Sequence, residues 1–201
     1  MGSLYTVGHS NLELDPFLDA LDRHGIDCVV DVRSYPRSRY APHFDRHALA
    51  SALRTRGIDY LFLGDRLGGR SPYPDHYVDG QLDYVRLVAS SPFREGLQEV
   101  AERAVEQRVA LMCSEEDPLR CHRAVAIGRY YHEQGWQVLH IRASGELEDH
   151  TAFEARLQGN ESGTQLGLWE PAPDREASYA AQGRRIAPRL DDGPSSTAEE
   201  G

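Results

Sequence analysis

Residues 109–123, VALMCSEEDPLRCHR, decide how this chain must fold. Val109 to Met112 form a short apolar run, as a strand that is buried on both faces of a sheet requires. Cys113 follows at the carboxyl end of that strand, and a polar loop comes next. Because open α/β sheets bind ligands beyond the carboxyl ends of their strands, Cys113 and this loop are the first candidates for chemistry.

The polar loop also contains the signals of a helix start. Asp117 is placed to cap a helix and Pro118 to occupy its first turn. On this interpretation Cys121 and His122 fall on the first turns of that helix. The unit strand, loop, helix is therefore predicted for this part of the chain.

The same pattern recurs along the chain. Apolar runs predict strands near residues 4–7, 26–32, 58–63, 109–112 and 136–141, and segments with helical spacing lie between them. This alternation predicts an α/β fold with three layers and a mainly parallel sheet of about five strands. Residues 1–157 form one predicted domain. Residues 158–201 are rich in Gly, Ser, Pro, Glu and Ala, and we expect most of this tail to be disordered.

The composition limits the classes of function. The net charge of −10 argues against indiscriminate nucleic-acid binding. No lysine occurs, so all 22 basic residues are arginine, which excludes Schiff-base chemistry and a lysine-bearing phosphate loop. The three cysteines without a secretory leader predict a reduced, cytoplasmic protein. No apolar run approaches the roughly 18 residues of a membrane span.

Polar side chains follow four of the predicted strands, and the parallel arrangement should bring them to one edge of the sheet. Residues 33–70 contain eight arginines against three aspartates, which predicts a pocket for phosphate or another anion. The alternative is that Arg46, Arg54 and Arg56 lie on the solvated face of a helix at residues 45–56. The predicted substrate contacts are Ser10, Asn11, Asp31, Arg33, Arg37, Arg39, Tyr40, Asp65, Arg120 and Arg123.

Three kinds of chemistry are open for the loop. Cys113 could act as a nucleophile, with His9 or His122 exchanging its proton. Glu115 and Asp117 could act as general acid and base, although helix capping is the alternative for Asp117. The cofactor is left open by the sequence. A divalent metal such as zinc is a candidate, with Cys113, Cys121 and His122 as ligands; Cys121 could equally be a small core residue.

Four ordered motifs carry a resemblance to a known family. They are TVGHSN, VVDVRSYPRSR, the Leu63-Gly64 step before LGGR, and LMCSEEDPLRCHR, with HTAFEARL near the end. Over residues 4–157 the chain resembles the DUF488 family, a group of unknown function. The resemblance implies a Rossmann-like α/β domain and supplies no reaction. The DVR strand and the later cysteine loop also resemble the rhodanese pattern, but Glu115, Glu116 and Asp117 would repel an anion from this loop.

The tail contains one further motif. Its sequence QLGLW, residues 165–169, resembles the short peptide by which bacterial repair and replication proteins dock on the DNA sliding clamp, with Gln165, Leu166, Leu168 and Trp169 as contacts. The alternative is a segment that packs back on the domain. Together these observations predict an enzyme that processes a nucleic acid or nucleotide in a DNA-repair role. A cysteine-dependent thiol or sulfur transferase and a non-catalytic DNA-associated adaptor remain the alternatives.

Overall fold

A computed structural model describes residues 2–38, 40–161 and 174–190. Its eight strands are β1 (Ser3–Gly8), β2 (Cys28–Asp31), β3 (Asp59–Phe62), β4 (Tyr77–Val78), β5 (Gln81–Leu82), β6 (Val109–Cys113), β7 (Gln137–Ile141) and β8 (Leu147–Asp149). Six of them form a central sheet in the order β3-β2-β6-β1-β7-β8, and β4 and β5 form a separate hairpin. All pairings in the central sheet are parallel except that of β7 with β8. The predicted α/β fold with a mainly parallel sheet is confirmed.

Helices cover both faces of the sheet. They are α1 (Leu14–Arg23), α2 (Arg46–Thr55), α3 (Gly64–Leu67), α4 (Tyr84–Ala89), α5 (Ser91–Arg103), α6 (Arg129–Glu133), α7 (His150–Glu161) and α8 (Arg175–Ile186). A π-helix at Arg123–Gly128 runs directly into α6. Among the described residues, no helix has both the length and the apolar composition needed to cross a membrane.

The side chains of β6 alternate between the two faces of the sheet and are buried on both, as the apolar run at residues 109–112 predicts. Ala110 and Met112 pack against α1 and α2, and their neighbours Leu111 and Cys113 pack on the side of α3 and α5. All five residues of β6 are buried. Removing a Val or Leu side chain from water contributes about 1.5–3 kcal/mol, so the three-layer arrangement follows from this apolar run.

The loops after β1 and β6 continue side by side beyond the sheet. The His9 amide donates to the Cys113 carbonyl at 3.1 Å, and the Ser10 amide donates to the Ser114 carbonyl at 2.7 Å. A Cβ atom at Gly8 would lie 1.8 Å from the Glu115 carbonyl oxygen, so only glycine permits this approach. The segment at residues 114–122 between β6 and the π-helix, here called the cysteine loop, is thereby fixed against β1 at the carboxyl edge of the sheet.

One sequence prediction needs correction here. Cys121 is extended (φ −135°, ψ 135°) and lies between a 3₁₀ turn at Pro118–Arg120 and the π-helix, because the turn capped by Asp117 ends after three residues. Within the tail, α8 packs on the domain and buries Tyr179, which is 2% exposed. The Gln182 side chain of α8 donates to the Leu119 carbonyl at 2.7 Å, which ties the helix to the cysteine loop.

Candidate metal centre

Three soft ligand atoms meet beyond the end of β6. The thiols of Cys113 and Cys121 and a ring nitrogen of His122 all lie within 4.8 Å of one another, and the three side chains are buried. The His122 Nδ1 atom lies 3.8 Å from the Cys113 Sγ and 3.9 Å from the Cys121 Sγ. Tetrahedral zinc bonds of about 2.3 Å to sulfur and 2.0–2.1 Å to nitrogen place such atoms roughly 3.6 Å apart. The cluster therefore has nearly the spacing that zinc requires.

The imidazole of His122 is oriented by the backbone of another loop. Its Nε2–H donates to the Leu67 carbonyl at 3.0 Å, so Nδ1 is the ring nitrogen that points at the two thiols. Gly69 lies against the same ring, and a Cβ atom there would lie 2.8 Å from Nδ1. A backbone carbonyl that fixes the second nitrogen is the usual support of a metal-binding histidine.

A carboxylate completes the cluster. The Cys113 thiol donates to Oε2 of Glu115 at 3.1 Å. Burial raises the pKa of Glu115 to about 7, with the charge of Cys121 acting in the same direction. Glu115 is placed either to become a fourth ligand or to hold and release a proton beside the three others.

The two thiols differ in acidity. The neighbouring Cys121 and burial raise the pKa of Cys113 well above its usual range. Burial acts in the same direction on Cys121, but the neighbouring Cys113 and the charge of Arg123 outweigh it and lower the pKa of Cys121 well below its usual range. One thiolate is therefore stabilised in the cluster, and thiolate is the form of cysteine that binds metals.

Arg123 holds the loop rather than facing outward. Its guanidinium is fully buried and donates to the carbonyl oxygens of Glu115 and Glu116. The carboxylate of Glu116 accepts two hydrogen bonds from Arg142, at 2.9 and 3.1 Å. These contacts give Arg123 a role in fixing the backbone of the loop. They do not test its contact with substrate, which stays a prediction.

A second buried cluster lies on the neighbouring strands. Arg33 forms paired hydrogen bonds to Asp31 at 2.7 and 2.9 Å and donates to Nε2 of His9 at 3.0 Å. The Nδ1–H of His9 donates to the Ser10 carbonyl at 2.8 Å. Burial and the charge of Arg33 lower the pKa of His9 to about 4, so its imidazole is neutral and both nitrogens have partners. This cluster fixes the loops after β1 and β2 next to β6.

More than half of the chain matches the model of a known protein family. Residues 13–130 match the model of the family described as Domain of unknown function DUF488. The chain belongs to the DUF488 family. Comparisons with curated proteins and with solved structures gave no match. The region that matches DUF488 includes all four residues of the cluster, whereas β1, β7, β8, α7 and α8 lie outside it.

The remaining predicted site residues of this DUF488 protein lie around the same edge of the sheet. Ser10 adopts a left-handed backbone (φ 43°), which is uncommon outside glycine and typical of constrained sites. Asp117 caps the 3₁₀ turn through the Leu119 amide and pairs with Arg156 at 2.9 Å, so its predicted catalytic role stays a prediction. The exposed members of the predicted set are Asn11, Arg37, Tyr40, Asp65 and Arg120. Arg39 and the motif at residues 165–169 lie outside the described residues.

Several contributors to the DUF488 site were missed at the level of sequence. Leu67 and Gly69 support His122 from a loop more than fifty positions earlier in the chain, and the glycine pair in LGGR is the signal that could have indicated such a close approach. Arg142, which directly follows β7, and Arg156, on α7, pair with carboxylates of the cysteine loop. Both arginines lie far from the cysteine loop in the sequence, so no local sequence pattern indicated these ion pairs.

Proposed function

We propose that the protein is a metal-dependent hydrolytic enzyme in which Cys113, Cys121 and His122 hold a zinc-type ion. The observation that carries this proposal is the ligand set itself: two thiols and one imidazole nitrogen within 4.8 Å, with the imidazole oriented by the Leu67 carbonyl. Three protein ligands leave a fourth position for water or substrate, which is the usual arrangement of catalytic rather than structural zinc.

Each residue of the cluster has a distinct task in this proposal. Cys113, Cys121 and His122 bind and orient the ion, and a bound zinc ion would supply an acidified water molecule as nucleophile. Glu115, whose Oε2 lies 3.1 Å from the Cys113 thiol, would hold the proton released when the nucleophile bonds to the substrate. It would return that proton to the leaving group as the bond to that group breaks. Arg123 keeps the backbone of Glu115 in place throughout.

The substrate class that we propose is a nucleotide or nucleic acid. The charge of the loop does not oppose this class as strongly as the sequence suggests, since Arg142 pairs with Glu116 and Arg156 pairs with Asp117. Two of the predicted substrate contacts, Arg37 from the arginine-rich stretch at residues 33–70 and Arg120 from the cysteine loop, have exposed side chains. Within the described part of the chain neither forms an ion pair, so both remain available to a phosphate group.

The deciding experiment is elemental analysis of the full chain purified without added metal. We expect close to one zinc per chain, lost in Cys121→Ala and in His122→Ala. Cys28→Ala is the matched control, since Cys28 is buried in β2, where burial raises its pKa to about 11. Metal content that is low in the wild type, or unchanged in the Cys121 and His122 variants, would rule the proposal out.

A second candidate is a cysteine-dependent thiol or sulfur transferase. The observation in its favour is the lowered pKa of Cys121: burial would raise it, but the neighbouring Cys113 and the charge of Arg123 outweigh burial. It predicts metal-free protein whose Cys121 alkylates with iodoacetamide much faster than Cys28. The DNA-associated adaptor predicts neither metal nor a reactive thiol.

A further inference from the structure

A cavity of about 590 Å³ lies next to the metal centre, between α8 on one side and α4 and the π-helix on the other. Its walls are mainly apolar and include the rings of Tyr84, Tyr130 and Tyr179. Cavities that bind small molecules usually measure about 300–1,000 Å³ and have such walls. None of the four residues of the metal centre lines this cavity, so it is a separate site.

The charges around the cavity favour a cation. Four carboxylates and two guanidiniums line it: Asp79, Asp83, Glu133, Glu176, Arg129 and Arg184. Arg129 is held by hydrogen bonds to Glu133 and Glu176 and lies 4.3 Å above the Tyr179 ring. Arg175 also pairs with Glu133 and Glu176, at 3.5 and 3.9 Å, so the remaining negative charge comes from Asp79 and Asp83, against the single guanidinium of Arg184. These two carboxylates and the rings of Tyr84 and Tyr130 attract a positively charged group.

A chain of buried hydrogen bonds connects this cavity to the cysteine loop. Tyr179 donates to Oε1 of Glu154 at 2.8 Å and accepts from Nε2–H of His150 at 2.9 Å. His150 in turn accepts at Nδ1 from Nε2–H of His140, at 3.0 Å. A carboxylate can only accept hydrogen bonds, so Glu154 accepts from Tyr179. It follows that Tyr179 accepts from His150 and that His150 accepts from His140.

The chain continues from His140 to Arg123. The Thr6 hydroxyl donates to Nδ1 of His140 at 2.8 Å and accepts from Nε–H of Arg123 at 3.3 Å. Thr6, His140, His150 and Arg123 are each 0% exposed, so water does not compete for these bonds. Arg123 then donates to the carbonyls of the cysteine loop. One end of the chain is thus a wall of the cavity, and the other end fixes the loop of Glu115.

We propose that the cavity binds a small molecule with an aromatic or otherwise apolar body and a positively charged group, and that Tyr179 transmits its occupancy to the cysteine loop. A ligand in contact with Tyr179 restricts the ring and thereby the hydroxyl that ends the chain. The order of the loop then depends on whether the cavity is filled. Binding stands independently of the metal centre, whereas an effect on catalysis rests on the proposed function.

The first test uses two aromatic probes of opposite charge, tryptamine and indole-3-propionate, and isothermal calorimetry on the full chain. We expect tryptamine to bind about tenfold more tightly than the anion at low salt, with a smaller ratio at high salt. Ala180→Trp fills the cavity from an exposed position of α8 and should weaken tryptamine binding about tenfold. Equal binding of both probes, preference for the anion, absence of binding, or no effect of the tryptophan overturns the proposal.

The second test measures hydrogen exchange of residues 109–124 with and without tryptamine. We expect slower exchange in the wild type and in Tyr130→Phe, which alters a cavity tyrosine outside the chain. In Tyr179→Phe tryptamine should still bind, but exchange in the loop should no longer respond. Exchange that never responds, or that responds equally in Tyr179→Phe, refutes the coupling. Both tests are made without added metal, so their failure is separate from a failure of the metal analysis.

Discussion

Acidification should destabilise the protein through His140 and His150. Burial lowers the pKa of His150 to about 3 and that of His140 well below its usual range, whereas both titrate near 6.5 in an unfolded chain. Between these values the unfolded state binds more protons than the native state. The contribution to stability is therefore complete above pH 6.5 and is lost as the pH falls towards 3.

The magnitude follows from the proton balance. A histidine that stays neutral in the native state costs about 1.4 kcal/mol of unfolding free energy for each pH unit below 6.5. Between pH 6.5 and 4.5, His150 alone should therefore remove about 3 kcal/mol. This is a large fraction of the 5–15 kcal/mol or so that stabilises a typical domain.

Urea unfolding at pH 7, 5.5 and 4.5 measures this effect. His150→Gln should be less stable than the wild type at pH 7, because the hydrogen-bonded chain is perturbed. Its stability should nevertheless fall less steeply with pH, by about 1.4 kcal/mol per unit. His47→Gln, at an exposed position of α2, should reproduce the wild-type slope. A slope for His150→Gln equal to that of the wild type would refute the reasoning, as would a His150 pKa near 6.5 measured by NMR.

Three further predictions concern the site and the tail. Gly69→Ala places a methyl group 2.8 Å from Nδ1 of His122 and should weaken zinc affinity about 10–100-fold, as measured by competition with a chelator. The control Gly159→Ala, which has open space around it, should leave zinc affinity unchanged. Arg37→Ala should reduce nucleic-acid affinity and flatten its dependence on salt; an unaltered slope would exclude Arg37 from the phosphate grip. A Gln165→Ala, Leu168→Ala double variant should lose micromolar binding to the sliding clamp, and absence of binding by the wild type would make the motif a coincidence.

The sheet was predictable because its strands are apolar runs. The run from Val109 to Met112 is buried on both faces, and no competing pattern covers it. The strand β8, by contrast, consists of Leu147, Glu148 and Asp149, and no alternation of apolar residues marks it. It forms because Gly145 (φ 80°) turns the chain back onto β7, which is a tertiary effect.

The helix α8 could not be predicted from the sequence for a similar reason. The face that α8 buries consists of Tyr179 with the small or polar residues Ser178, Gln182 and Gly183. Its anchoring depends on specific hydrogen bonds to other elements, such as that from Gln182 to the Leu119 carbonyl. A scan for apolar periodicity cannot register such bonds.

The candidate site could be predicted only in outline. Cys113, Cys121 and His122 lie close together along the chain, and their residue types raised a metal site as one of three candidate chemistries. The orientation of His122 depends on the Leu67 carbonyl, a backbone group whose position only the fold determines. The sequence could likewise not show that Arg33 donates its hydrogen bonds to Asp31 and that Arg123 donates to the Glu115 carbonyl. Both contacts follow from burial in the fold and not from composition.

The π-helix at Arg123–Gly128 has a consequence for how this family can change. A π-helical turn corresponds to an α-helix with one additional residue, and it is less stable than the regular form. A π turn takes up one residue more than an α turn for nearly the same rotation, so deleting one residue from this segment can regularise the helix with little rotation of the residues before it. Cys121 and His122 immediately precede the segment, and such a deletion should leave them facing Cys113. The chain can therefore become one residue shorter and more regular at this point without separating the ligand cluster.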